Sequence, residues 1–138
     1  MEYLSGVVLA LAAAGTATAI GFDRERSFYP TLLIVIATYY LLFAATGYSM
    51  RDRSGHVVLV ESLVAGSFLL VALLAFKISL WLAVAGLVGH GVFDFVHDRF
   101  VHNPGVPHWW PGFCLAFDVV AGGFLAVLLI RRASPAPR

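Results

Sequence analysis

VVLVESLVAGSFLLVALLAF, residues 57–76, is the stretch that decides the fold. Its twenty residues include a single charged side chain, Glu61, and about 20 mostly apolar residues are what a helix needs to cross the hydrocarbon core of a bilayer. The whole chain shares this character, because 60% of its 138 residues are hydrophobic and only 12% are charged. Soluble domains carry roughly 25% charged residues. We therefore expect an integral membrane protein.

Four further stretches of similar length and hydrophobicity surround this one, and short polar segments separate them. We predict an all-α fold, a five-helix transmembrane bundle, that forms one domain over residues 1–132 and ends in a flexible tail at 133–138. No Lys or Arg precedes the first apolar stretch, so we expect a retained helix rather than a cleaved signal peptide. The predicted helices are Tyr3–Phe22, Tyr29–Ser49, Val57–Phe76, Ile78 to His97 or Arg99, and Phe113–Ile130.

Five passes would place the two termini on opposite sides of the membrane, so the basic residues can be sorted by side. Six of the nine fall on the side of the C-terminus and three on the side of the N-terminus. Because cytoplasmic loops carry an excess of Lys and Arg, we expect the N-terminus outside and the C-terminus in the cytoplasm. The expected location is a cell membrane, the bacterial inner membrane, with the chain as a multi-pass protein.

Several classes of function are disfavoured by composition and motifs. The formal net charge is +1 and no basic block occurs, so we expect no nucleic-acid partner. Cys114 is the only cysteine, which excludes an internal disulfide and a Cys-rich metal site. No Gly-rich phosphate loop, nucleophile elbow or dinucleotide fingerprint occurs.

Three carboxylates lie within the predicted helices: Glu61, Asp94 and Asp118. All three are roughly one or two turns from the same face of the membrane, at about 1.5 Å of rise per residue. An unpaired carboxylate at this depth costs at least ~2.5 kcal/mol. We therefore expect the three side chains to face the interior of the bundle and to share partners.

The fourth predicted helix presents His90, Asp94 and His97 along one stripe, within about 60° on the helical wheel. This spacing resembles the way a helix presents two imidazoles to zinc in H-E-x-x-H. We interpret the three residues as metal ligands, with Glu61 and Asp118 as catalytic groups, either a further ligand or a general base. Nitrogen and oxygen ligands without a thiolate suit a divalent metal, zinc before iron or manganese. The alternative is that these groups only hydrogen-bond to one another and hold the helices together.

The remaining histidines, His56, His102 and His108, fall on the same side of the predicted bundle. The segment that carries His102 and His108 also contains Trp109 and Trp110 among three prolines. This composition is typical of an interfacial aromatic belt with a stiff turn. The functional alternative is a lid over the polar pocket, in which these histidines act as an extra ligand or acid–base group.

The layout HGxxDxxH, NPxVPxWWPxFC and a later Asp, which covers roughly Glu61 to Asp118, resembles small multi-pass bacterial proteins of uncharacterised function. That resemblance implies no activity. The arrangement is also similar in its logic to membrane-embedded metal hydrolases of the alkaline ceramidase type, which gather histidines, an Asp and a Ser from several helices around zinc. The spacing of that family is not reproduced here, so no residue role is carried over from it.

From these observations the leading hypothesis is an integral membrane, metal-dependent enzyme that acts on a lipid or another apolar small molecule in a hydrolase-like reaction. The first alternative is a metal-free membrane isomerase or apolar-ligand-binding protein that uses a buried acid and histidine. The second is a proton-relay or transport subunit, since intramembrane Asp, Glu and His often serve as relays. An exposed apolar face would also permit a homodimer.

Overall fold

The computed structural model describes residues 1–50 and 55–134, without the side chains of residues 47–50. Within these ranges the chain is helical and contains no strand, as the sequence predicts. Four of the helices are long and apolar enough to cross a membrane. The helices are α1 (Glu2–Ile20), α2 (Phe28–Ala37), α3 (Tyr39–Met50), α4 (His56–Lys77), α5 (Trp81–Val96) and α6 (Trp110–Ala133), with 3₁₀ turns at Phe22–Arg24 and His97–Arg99.

The helices α2 and α3 together correspond to the second predicted helix, and they are separated only by Thr38. The Thr38 hydroxyl donates a hydrogen bond to the carbonyl of Val35 at 2.7 Å. Such a bond from Thr to the preceding turn competes with the backbone ladder and often bends a helix. The two segments together form one membrane-length helical stretch over Phe28–Thr46. With α2 and α3 taken together, the described residues form five long helical elements.

The helix that differs most from its prediction is α5. The sequence predicts a span from Ile78 to His97 or Arg99, but the α-helix covers Trp81–Val96, which is 16 residues. At 1.5 Å per residue this is about 24 Å, short of the ~30 Å hydrocarbon core. The helix is shorter because the chain turns between Lys77 and Trp81 and because His97 begins a 3₁₀ turn. Its length does not place α5 among the four membrane-length helices.

Contacts at both ends show that α1 and α6 run in the same direction. A Cβ atom at Gly112, near the start of α6, would lie 2.9 Å from Glu2 at the start of α1. At the other end, the Arg132 guanidinium of α6 lies 2.7 Å from the carboxylate of Asp23, just after α1. The start of α1 and the end of α6 therefore lie at opposite ends of the bundle. At the C-terminus, Ala133 is still helical, and residues 135–138 of the predicted tail lie outside the described ranges.

The interior of the bundle is built mainly from small side chains, with α6 packed along α5 and α1, and α4 packed on α2 and α5. Five alanines belong to the main core cluster together with the larger Tyr29, Leu33, Leu87 and Leu125. Small residues let helix backbones approach closely, which is how helices associate in a membrane. Long apolar side chains such as Leu63 and Leu73 of α4 point outward instead, as expected of a surface that contacts lipid.

Candidate metal centre

The site is built on α5, whose buried residues recur every three or four positions. This spacing places them on one face of the helix. The face is apolar and small-residue-rich in its first half and polar in its second half, where His90 and Asp94 are both buried. The buried residues of α5 are Ala83, Gly86, Leu87, His90, Gly91 and Asp94.

Asp118 of α6 meets this polar half of α5. The Nδ1 atom of His90 lies 2.7 Å from Oδ2 of Asp118 and 3.5 Å from Oδ2 of Asp94. One ligand atom from each of these three side chains lies within 4.8 Å of the other two. All three are at most 2% exposed. His90, Asp94 and Asp118 therefore form a buried group that could hold a metal ion.

Two carboxylate oxygens of this group have no hydrogen-bond partner among the described residues, Oδ2 of Asp94 and Oδ1 of Asp118. A buried acceptor without a partner is costly, because it has lost its contact with water. Oxygen atoms are ligands for hard and borderline cations alike. The unsatisfied oxygens and the single imidazole thus match the donor set of a divalent cation.

The close approach of α5 and α6 at this point depends on Gly91. A Cβ atom at this position would lie 2.9 Å from Cβ of Asp118 and 3.3 Å from the carbonyl oxygen of Cys114. The Phe68 ring closes the other side, with its centroid 4.7 Å from that of His90. The polar group is therefore enclosed by helix backbone and apolar side chains.

A second buried polar cluster lies around Glu61 of α4. The Nε2 atom of His97 is 3.0 Å from Oε1 and 3.2 Å from Oε2 of Glu61. The side-chain amide of Asn103 donates to Oε1 of Glu61 at 2.8 Å and to the carbonyl of Tyr40 at 3.0 Å. Glu61 thus accepts hydrogen bonds from two nitrogen donors. We call this set the Glu61 cluster.

The structure therefore divides the five predicted site residues between two places. Asp118, predicted as a catalytic group, lies beside His90 and Asp94, whereas His97, predicted as a metal ligand, lies beside Glu61. His97 is seven residues after His90, which is about 10 Å along a helix axis. It also lies beyond the end of α5, in the 3₁₀ turn. The expected single point shared by all five side chains is corrected to two clusters on neighbouring levels.

Asn103 was missed as a site residue, since Asn beside Pro is ordinarily a turn residue. It does make a turn, because its Oδ1 accepts a hydrogen bond from the Gly105 amide at 3.2 Å. Its amide nitrogen, however, reaches the buried carboxylate of Glu61. The available signal was that Asn103 is the only side-chain carboxamide in the sequence. The ring of Tyr40 lies against that of His97, with the two centroids 4.3 Å apart and the planes tilted by 48°.

The three outlying histidines are exposed and lie outside both clusters. His56 is the first residue of α4. His102 is 3.3 Å from Asp98 in a pair that is 84% exposed on each side. His102 and His108 line a cavity of about 440 Å³ that also contacts His97, Tyr40 and Asn103. We call this the loop cavity, and it connects the Glu61 cluster with the segment between α5 and α6.

A second cavity of about 450 Å³ lies between α1, α2, α3 and α6. Its wall is almost entirely apolar, and Asp118 and Cys114 lie on it. The side chains of Leu9 and Val35, also on its wall, are about half exposed, so the cavity opens toward the lipid. We call it the apolar cavity. Its other lining residues include Leu32, Trp110 and Phe117.

Comparison of this chain with protein-family models, with curated proteins and with solved structures found no match.

The chemistry that this site can perform is therefore inferred from its geometry alone. One buried group of an imidazole and two carboxylates reaches the wall of the apolar cavity through Asp118. A second buried His–carboxylate pair reaches the wall of the loop cavity through His97. The first can bind a cation or pass a proton between His90 and Asp118. The second can hold the segment between α5 and α6 against α4 through Asn103.

Proposed function

We propose that this chain is a membrane-embedded metal-dependent enzyme that acts on a lipid or another apolar small molecule, with a divalent metal held by His90, Asp94 and Asp118. The observation that carries the proposal is the buried group of three potential ligands with two unsatisfied carboxylate oxygens. Three protein ligands and one open position are the usual arrangement of a catalytic zinc site. Zinc is the first candidate, and the two carboxylates also suit iron or manganese.

A bound divalent ion would polarise an oxygen of the substrate or of water, which is the chemistry of metal-assisted hydrolysis. The residues of this chain would exclude water from the site and admit an apolar substrate. Phe68 and the α5–α6 contact exclude bulk water around His90. The apolar cavity gives an apolar substrate a route from the lipid to Asp118. The Glu61 cluster, on a neighbouring level, positions the loop rather than the reacting atoms.

The orientation in the membrane is part of the proposal. Arg24, Arg26, Lys77 and Arg132 belong to the end of the bundle where α1 and α6 terminate, and the two clusters lie toward the opposite end. With the positive-inside rule, this arrangement supports a cytoplasmic C-terminus and a site near the outer leaflet. Five passes then require the short α5 to span the bilayer together with the turns at its ends.

Metal content of the purified protein tests the proposal. We expect close to one equivalent of zinc, iron or manganese per chain, measured by elemental analysis after growth in medium that contains all three metals. The variants His90→Ala and Asp118→Asn should lose the metal, since each removes one of three ligands. Because either could misfold, helical content and monodispersity are measured in parallel. His102→Ala is the matched control and should retain the metal, as His102 is exposed and outside the group.

A wild-type protein that binds none of these metals, even after reconstitution, would overturn the proposal. So would a His90→Ala variant that keeps its full metal content. If no metal binds, a metal-free function is the second candidate, because His90 and Asp118 form a hydrogen bond of 2.7 Å. That pair could shuttle a proton on an apolar ligand, as expected of an isomerase, and its ligand binding would be unaffected by chelators.

A further inference from the structure

The wall of the apolar cavity includes one of the buried carboxylates, Asp118. Asp118 is 0% exposed and has one oxygen, Oδ1, without a partner among the described residues. An unpaired buried acceptor on the wall of an apolar cavity is best satisfied by a ligand that brings a hydrogen-bond donor. The cavity therefore selects a ligand by its polar end as well as by its apolar body.

The charge of the surroundings limits what this polar end can be. Neither Lys nor Arg lines the apolar cavity in the part of the chain that the structure describes, and Asp94 lies near Asp118 within the same group. A phosphate or carboxylate end group would be repelled by the two carboxylates. A divalent ion held by this group would only neutralise them, so no net positive charge would remain to balance an anionic end group in a medium of low dielectric. A hydroxyl or an amine avoids this repulsion and supplies the donor.

The size of the cavity limits the rest of the ligand. A volume of about 450 Å³ lies in the lower half of the range of ligand pockets, about 300–1,000 Å³. Beside Asp118, α5 and α6 are in tight contact at Gly91, so a bulky headgroup cannot be accommodated there. The open side between Leu9 and Val35 lets a hydrocarbon chain continue into the bilayer.

We propose that the apolar cavity binds a single-chain amphiphile whose hydroxyl or amine end lies at Asp118 and whose hydrocarbon chain passes between α1 and α2 into the lipid. This names the substrate class for the proposed function on which it rests, a single-chain alcohol or amine rather than a two-chain phospholipid.

Photo-crosslinking in lipid nanodiscs tests this proposal with three probes of the same chain length. They are a twelve-carbon alcohol, the corresponding amine and the methyl ether of the alcohol, each with a diazirine in the middle of the chain. The ether keeps the oxygen and the chain but has no donor. At equal mole fraction in the bilayer we expect the alcohol or the amine to label α1, α2 and α6 about tenfold more than the ether, as a hydrogen bond to a charged group would give.

Two variants of α1 locate the labelling. Leu9→Trp fills the cavity from its lipid side, and it should reduce labelling by the alcohol to the level of the ether. Leu11→Trp is the matched control, because Leu11 is equally exposed on the same helix and does not line the cavity. It should leave labelling unchanged. Neither substituted residue belongs to the group of His90, Asp94 and Asp118, so both variants should fold and bind metal like the wild type.

Equal labelling by the ether and by both donor probes, or equal labelling in Leu9→Trp and Leu11→Trp, would overturn the proposal. The experiment is run on the protein as purified and again after chelation. Donor-dependent labelling in a protein without metal would refute the proposed enzyme and keep the ligand class. Stoichiometric metal without donor-dependent labelling would do the reverse.

Discussion

Each buried carboxylate of the described chain lies beside a nitrogen-bearing side chain. Glu61 has His97 and Asn103, Asp118 and Asp94 have His90, and Asp23 has Arg132. A buried acid without such a partner would cost several kcal/mol after relaxation. An unpaired carboxylate that faces lipid would carry a similar cost. The sequence therefore predicts that Glu61, Asp94 and Asp118 face the interior of the bundle, and the structure confirms that all three are buried.

Asn103 illustrates what the sequence does not show at this scale. Its short side chain can satisfy a turn locally or reach a distant carboxylate, and residue type alone does not distinguish the two. The structure shows both, because its oxygen bonds Gly105 while its nitrogen bonds Glu61. The choice depends on how closely the loop approaches α4, which is a tertiary property.

Removal of the Asn103 amide should destabilise the fold. Asn103→Ala would remove the bond to Oε1 of Glu61, which would keep only its contact with His97, and the bond to the carbonyl of Tyr40. A hydrogen bond to a charged group contributes about 1.5–3 kcal/mol and one to a neutral group about 0.5–1.5 kcal/mol. We expect the free energy of unfolding in mixed micelles to fall by roughly 2–4 kcal/mol, measured by denaturant titration. His102→Ala, next in sequence but exposed, should change it by less than about 0.5 kcal/mol. Equal effects of the two substitutions would contradict the role of Asn103.

At the scale of helices, the bounds explain why the predicted single cluster becomes two. The predicted fifth helix starts at Phe113, which puts Asp118 about 8 Å from its start. The actual helix, α6, starts at Trp110, so Asp118 lies about 12 Å in. Glu61, five residues into α4, stays at about 8 Å. The difference approaches one helical turn. A helical wheel gives the direction of a side chain but not its level, since that depends on where each helix begins.

Helix packing is set by particular glycines, and α1 offers a matched pair. A Cβ at Gly6 would lie 2.5 Å from the carbonyl oxygen of Phe113 in α6, whereas a Cβ at Gly15 meets nothing within 4 Å. Gly6→Ala should therefore push α1 away from α6 and cost about 1–3 kcal/mol of unfolding free energy. Gly15→Ala should be neutral or stabilise by up to about 1 kcal/mol, because Ala is the better helix former.

Thermal or denaturant unfolding of the two glycine variants checks this prediction under identical micelle conditions. If Gly15→Ala were as destabilising as Gly6→Ala, the contact between α1 and α6 would not be the cause. The sequence does not predict this difference, because Gly6 and Gly15 are the same residue type in the same predicted helix. Only the neighbour of each, backbone in one case and open space in the other, separates them.

Across the whole molecule, the two ends of the bundle differ in chemistry. One end carries the Asp23–Arg132 ion pair and the bond from Arg26 to the carbonyl of Phe76 at the end of α4. The other carries the Trp-rich segment, the loop cavity with the adjoining Glu61 cluster, and the group of His90, Asp94 and Asp118. The positive-inside rule assigns the first end to the cytoplasm. Hydropathy predicts the helices, four of which are long and apolar enough to cross a membrane, but the predicted sidedness rests on a few charges.

Cysteine labelling in intact bacterial cells tests this sidedness. Cys114, the only native cysteine, is buried, so the wild type should react little with a membrane-impermeant maleimide. His108→Cys places a thiol at an exposed loop position and should react in intact cells. Ser134→Cys, exposed just beyond α6, should react only after the cells are permeabilised, because the proposed orientation places that end, with six of the nine basic residues, in the cytoplasm. The reverse pattern would invert the proposed orientation and place the group of His90, Asp94 and Asp118 near the inner leaflet. Labelling of both variants in intact cells would show that α6 does not cross the membrane.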